Sequence, residues 1–154
     1  MQIKYQKAKL SNIAEMRELI LPEVESGVIL DRNEDEIATN IRSYILAYKE
    51  NMLVGFTALH IHTNDLAEVR SLIVKDGLRG QKIGENLVKS ALKEAVDLGI
   101  QRVLSLTYKQ TFFERLGFFE IPKESLPEHK IWADCIKCKH FPVCNEVSLI
   151  KTLL

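Results

Sequence analysis

The chain has 154 residues, 46% of them hydrophobic, and its 21 basic side chains balance 21 acidic ones. That content suits one α/β domain with a real core and excludes a disordered chain. Zero net charge excludes the basic stripe of a dedicated nucleic-acid binder, while leaving room for a small patch that takes one anionic ligand.

In chain order, residues 3–7 alternate apolar and polar and read as a first strand. Ser11 is placed to cap a helix carrying Ile13, Met16, Leu19 and Ile20, expected to stop before Pro22. Residues 23–32 read as a loop. Asn33 then caps a second helix with Ile37, Ile41 and Ile45 at helical spacing. Residues 44–49 and 52–62 read as a hairpin about Glu50-Asn51, and Asn64-Asp65 turns the chain into a strand over 68–74. Asp76-Gly77 makes a turn, followed by the loop Arg79-Gly80-Gln81-Lys82-Ile83-Gly84. A helix runs from there to about Leu98, with Leu87, Ala91, Leu92, Ala95 and Leu98 in one stripe and Gly99 as its left-handed cap. Residues 102–107 form a strand, 111–116 a short helix ended by Gly117, and 118–121 a strand. A cysteine-containing loop over 134–145 precedes a closing strand at 145–154. The order is β-α-α-β-β-β-α-β-α-β-β. A strand, glycine loop, helix and strand in the middle imply a parallel crossover.

No run reaches the length of a membrane span, and the start lacks the apolar region of a secretory signal. A single domain over residues 1–154 in the cytoplasm is the expectation, with no nucleic-acid or membrane partner and a homodimer left open.

The loop after residue 74 is the first chemical signal. Backbone N–H groups of a glycine-containing loop and of the first helical turn point at an anion, and the helix dipole favours negative charge there. Gly80 and Gly84 let backbone approach a ligand closely. Neither a Walker loop nor a dinucleotide G-x-G-x-x-G is present.

With this loop the sequence resembles the GNAT superfamily of N-acetyltransferases, whose cofactor loop reads Arg/Gln-x-x-Gly-x-Gly/Ala. Lys82 stands where that family usually has its middle glycine, and its backbone can still donate there if it adopts helical angles. Phe112-Phe113-Glu114-Arg115-Leu116-Gly117-Phe118 looks like the family's "FYxxLGF", with Phe113 in place of the tyrosine. The resemblance implies a mixed, mostly antiparallel sheet flanked by helices. It also implies acetyl-CoA as cosubstrate, held by Leu72, Ile73 and Val74 and by Arg79, Gly80, Gln81, Lys82, Ile83 and Gly84.

Three further stretches look like short N-acetylglutamate synthases, which lack the amino-acid-kinase domain of longer versions. They are Gly27-Val28-Ile29-Leu30-Asp31-Arg32, Ala67-Glu68-Val69-Arg70-Ser71-Leu72-Ile73-Val74, and Trp132-Ala133-Asp134-Cys135-Ile136-Lys137-Cys138. In the first, Asp31 departs from the family's proline. This resemblance implies acetyl transfer to the α-amine of L-glutamate, the entry step of arginine synthesis. Another amino acid or a protein N-terminus as acceptor, and a non-catalytic acyl-CoA sensor, are the alternatives.

A dicarboxylate acceptor calls for bidentate arginines, and Arg32 and Arg70 lie inside the matching stretches. Arg70 could equally pair with Glu68 on its own strand face. Glu68 is the candidate base for the ammonium, against the alternative of a solvated strand end, and Tyr108 is the candidate general acid. His60 and His62 share one face by period-two spacing. One is expected to line the acceptor groove, with His60 the second choice as base, and the other to be solvated. Cys135, Cys138 and Cys144 with His140 could complete a structural zinc tetrahedron. A loop of free thiols is the plainer alternative, and a redox role for Cys135 and Cys138 the third.

Overall fold

The computed structural model describes residues 2–25, 33–75, 77–78, 82–122, 125 and 147–153. Seven strands and four α-helices follow in the order β1 (Ile3–Lys7), α1 (Ile13–Glu25), α2 (Glu34–Thr39), β2 (Tyr44–Lys49), β3 (Met52–Ile61), β4 (Leu66–Val74), α3 (Ile83–Leu98), β5 (Arg102–Thr107), α4 (Gln110–Glu114), β6 (Phe119–Ile121) and β7 (Val147–Thr152). This is the expected order. The sheet runs β1-β2-β3-β4-β5-β7-β6. Five of its pairings are antiparallel, and only β4 with β5, joined through α3, is parallel.

Each face of the sheet buries a separate cluster. On one, Ile83, Leu87, Val88, Ala91 and Ala95 of α3 pack on Ala47, Val54, Leu59, Ala67, Val69 and Val103. On the other, Met16 and Ile20 of α1 and Ile37 of α2 pack on Tyr44, Leu46, Phe56 and Ala58. The alternation of β2 and β3 between these sets is the period-two pattern that made them legible as strands.

Four local expectations fail. Ser11 does not cap α1, because residues Leu10–Asn12 form a 3₁₀ turn and Asn12 Oδ1 accepts the Lys9 N–H at 2.8 Å. The helix does not stop at Pro22 but runs through it to Glu25, so residues 23–25 are not loop. Proline removes one backbone bond at the exposed Pro22, and burial of Ile20 beneath it carries the helix on. Asn33 does cap α2, accepting Glu36 N–H at 2.8 Å. That helix ends at Thr39, however, which leaves Ile41 in a 3₁₀ turn and Ile45 in β2. The apolar spacing there was shared by three elements rather than one.

Tyr48 ties α1 to the sheet. Its hydroxyl donates to Glu15, and Asn12 Nδ2 donates to the same carboxylate at 3.1 Å. Burial first, and then the Glu15 carboxylate, push the Tyr48 phenol well above its usual range.

Candidate active site

Strands β4 and β5 pair at only three positions, Leu66–Glu68 against Arg102–Leu104. Beyond them β4 stays with β3 and β5 with β7, so the parallel pair parts and a V opens toward the C-terminal ends of both strands.

A bulge in β4 shapes one wall of the V. The β3–β4 register slips between Phe56 and Ala58, and Ser71 adopts a left-handed φ of 58°. Thr57, fully buried, donates its hydroxyl to the Arg70 carbonyl at 3.1 Å, beside the bulge. Past Ser71 the faces exchange. Leu72 and Val74 pack against the α3 cluster, whereas Ile73 joins the α1 cluster. Strict alternation along 68–74 therefore misassigns the residues after 70.

The N-terminus of α3 stands at the mouth of the V. Its first-turn N–H groups have no helical carbonyls to bond, which makes the turn an anion receptor. Lys82, just before it, has φ 64° and ψ 17°. It is left-handed, so the condition of helical angles is not met, and it takes the conformation that a glycine there would adopt without strain. Gly84 turns the place of its missing side chain inward, where a Cβ would meet Val74 Cγ2 at 3.5 Å and Phe112 Cζ at 3.6 Å. Partly exposed Glu85 has its carboxyl held below the usual range, chiefly by the hydrogen bond from Lys89, with Lys82 adding a smaller attraction.

Glu68 lies where the V begins, the last β4 residue paired with β5. It is not a solvated strand end, since only 2% of it is exposed. Its Oε1 lies 2.9 Å from His62 Nε2 and 3.7 Å from an Arg70 guanidinium nitrogen. The expected same-face pair of Glu68 and Arg70 is present. His60 sits directly opposite Glu68 across β3–β4, and its ring meets that of His62 edge-on at 4.8 Å. His62 is not solvated, its side chain being 5% exposed, and His60 is half-buried. The hairpin explains this, because folding the chain about Asn64 lays residues 60 and 62 beside 68 and 66. The period-two reading placed both rings on one face but did not carry them across to Glu68.

Tyr108 follows the end of β5 and is 42% exposed, on the open side of the V. Phe113, in the place of the family's tyrosine, is buried and packs edge-on against Phe112 and Phe118, so it brings no hydroxyl. Arg32, Arg79, Gly80, Gln81, Cys135, Cys138, His140 and Cys144 lie outside the described residues. Among the described residues no cluster of three His, Cys, Asp or Glu is arranged to hold a metal. No helix there is long and apolar enough to cross a membrane.

Residues 12–118 match the model of the acetyltransferase (GNAT) family. An uncharacterized N-acetyltransferase of Chlorobaculum tepidum is 37% identical over 127 residues, 82% of this chain and 81% of that one. The amino-acid acetyltransferase of Mycobacterium tuberculosis is 31% identical over 119 residues, 75% of this chain and 67% of its own. N-acetylglutamate synthase from Neisseria gonorrhoeae, solved with coenzyme A and N-acetyl-glutamate, superposes with a TM-score of 0.88 at 23% identity. That match covers all of this chain but 36% of the Neisseria chain, and at this identity it establishes the fold. With the parted β4–β5 pair, the anion-receiving α3 terminus and these relatives, the chain belongs to the GNAT acetyltransferase family and is an N-acetyltransferase.

Proposed function

We propose that this enzyme transfers the acetyl group of acetyl-CoA to the α-amine of L-glutamate, the first step of arginine biosynthesis. The observation that carries the reading is the buried Glu68 with Arg70 beside it at the point where β4 and β5 part. A base and a carboxylate-binding guanidinium side by side suit an amino-acid acceptor, which presents an ammonium and a carboxylate together. The relatives support this class, one being named an amino-acid acetyltransferase and one being solved with N-acetyl-glutamate.

In this reading acetyl-CoA lies along the V. Its pyrophosphate rests on the first turn of α3 and on the loop Arg79, Gly80, Gln81, Lys82, Ile83 and Gly84. Its pantetheine runs beside Leu72, Ile73 and Val74, whose backbone on that side has no strand partner. The residues fit. A left-handed Lys82 turns the loop into α3, and its ammonium adds positive charge at the terminus where the phosphates would lie.

Glu68 takes the proton of the ammonium, directly or through one water, and the freed amine attacks the thioester carbonyl. Backbone N–H groups near Leu72 stabilise the oxyanion. Collapse expels the thiolate, which Tyr108 protonates, and the second proton of the attacking nitrogen returns to Tyr108. Arg70 has five N–H donors, so it can hold Glu68 and still take a substrate carboxylate. Arg32 takes the second carboxylate, and His60 lines the acceptor groove.

The test is release of free thiol from acetyl-CoA with a panel of amino acids. Glutamate should be preferred, and Arg70→Leu should raise its KM roughly 10- to 150-fold, the cost of one charged hydrogen bond. The acetyl-CoA KM should barely move. If glutamate reacts no faster than glycine, the acceptor is another one. If both KM values rise together, Arg70 supports the fold and not the acceptor.

A further inference from the structure

His62 has no part in the reaction as written above, yet it lies closer to the Glu68 carboxylate than Arg70 does. Its Nε2 lies 2.9 Å from Oε1, and the two side chains are 5% and 3% exposed. A carboxylate sealed from water to this degree keeps its charge only if it is paired and hydrogen-bonded.

We propose that His62 is the positioning residue of the catalytic base. It donates from Nε2 to Oε1 and so turns the Glu68 carboxylate toward the acceptor amine. The inference rests on the reading of Glu68 as base. A lone pair on Nε2 facing a carboxylate at this distance would be repulsive, so the hydrogen belongs on Nε2 whenever Glu68 is ionised.

The surroundings hold the ring in that orientation. His60 presses edge-on against it from the same strand at 4.8 Å, and the His62 backbone N–H is bonded to the Leu66 carbonyl at 2.9 Å. Among the described residues, His60 on β3 and Arg70 on β4 are charged or titratable groups that face the pair. On β5 the residue opposite Glu68 is Leu104, which does not titrate. Asp65 in the adjoining turn is engaged by Thr63 and Arg102 instead. Met16 and Ile20 of α1 pack on this face, and its Glu15 is held by Tyr48.

The proton count is simple. Two N–H bonds of the ammonium break: the second proton, lost by the tetrahedral nitrogen, replaces the one that Tyr108 gives to the thiolate, and the first forms an O–H bond on Glu68. That proton passes to solvent before the next turnover, and His62 gains and loses none. What His62 supplies is therefore a donor, and glutamine, whose Nε2 reaches the same place, can supply it too.

The experiment measures kcat, both KM values and melting temperature for wild type, His62→Leu, His62→Gln and Glu68→Gln, with pH profiles of kcat/KM. His62→Leu should lower kcat at least about tenfold, a fraction of what a general base contributes, with the acetyl-CoA KM nearly constant. His62→Gln should recover activity to within about threefold and keep the acid limb of the profile, which belongs to Glu68. Wild-type kcat in a folded His62→Leu overturns the proposal. So does a His62→Gln that is folded but as slow as His62→Leu, or one that loses the acid limb, since the imidazole itself would then carry the proton. Should His62→Leu not fold, His62→Gln alone still decides by its rate and profile. Wild-type activity in Glu68→Gln is a different result, which removes the base reading itself.

Discussion

Lys82 holds a left-handed backbone just ahead of α3, at φ 64°, where a side chain costs about 1 kcal/mol relative to glycine. Lys82→Gly should therefore raise stability by up to about 1 kcal/mol in denaturant titrations. If the ammonium helps hold a pyrophosphate, the same change should raise the acetyl-CoA KM several-fold. Stability and KM moving in these opposite senses would separate strain from charge, and an unchanged KM would assign Lys82 to the turn alone. Thr57 makes a sharper case. Thr57→Val keeps the shape but removes the hydroxyl's hydrogen bond to the Arg70 carbonyl beside the bulge, at a cost of about 0.5–1.5 kcal/mol. Thr57→Ser should restore most of it. A Thr57→Val protein as stable as wild type would mean that the bulge does not need the hydroxyl. Neither feature was legible beforehand. Nothing in the alternation of β4 announces an extra residue at Ser71, and a buried threonine reads as an ordinary β-branched strand residue.

At the scale of elements, the packing of α3 on β3 and β4 sets where its N-terminus points. Gly55 lies under that contact. A Cβ there would stand 2.7 Å from the Ile73 carbonyl oxygen and 3.3 Å from Leu87 Cδ1. The first of these is backbone and cannot swing away, so Gly55→Ala should cost about 1–3 kcal/mol and tilt α3 off the sheet. Acetyl-CoA affinity should fall with it. Gly84→Ala is the control. Its contacts begin at 3.5 Å and a helical alanine is favoured over glycine by about 1 kcal/mol, so stability should hold or rise. Equal losses in the two variants would refute this placement of α3. The Tyr48 anchor of α1 titrates. Its phenol pKa is raised in the fold above the ordinary 10.0, so its stabilisation is fully present below that value and fades as pH rises through the folded one. Tyr48→Phe should cost about 1 kcal/mol at neutral pH, since the group is partly exposed and screened. The gap to wild type should close above about pH 10. A gap independent of pH would assign the loss to packing.

Across the whole molecule the sheet is two pieces, β1-β2-β3-β4 and β5-β7-β6, held edge to edge by three residue pairs and by the crossover α3. The strand order and the helix stripe were readable because both follow simple periods. The parting of β4 from β5 was not, since it depends on the bulge and on how the two pieces twist. Nor was the meeting of His62 with Glu68, which needs the hairpin register in addition to the face. The two-piece design predicts where ligand binding is felt. In the proposed reading, a cosubstrate lying in the V would bond to the edge of β4 at residues 69–74 that β5 leaves uncovered and would bridge it to residues 105–107 of β5. It thereby stands in for the strand pairing that stops at Glu68. At a concentration of 100 times Kd, binding to the folded state alone adds about 2.7 kcal/mol, or roughly 5–10 °C in Tm for a domain of this size. Hydrogen exchange resolves the location. With saturating coenzyme A, amides of residues 69–74 and 105–107 and of the first turn of α3 should slow by about tenfold or more beyond the global gain, while β1 and β2 show the global gain only. Uniform slowing across the sheet, with no excess on the edges of the V, would place the cosubstrate elsewhere. Excess protection on β4 without β5 would mean that it lies against one wall and does not join the two pieces.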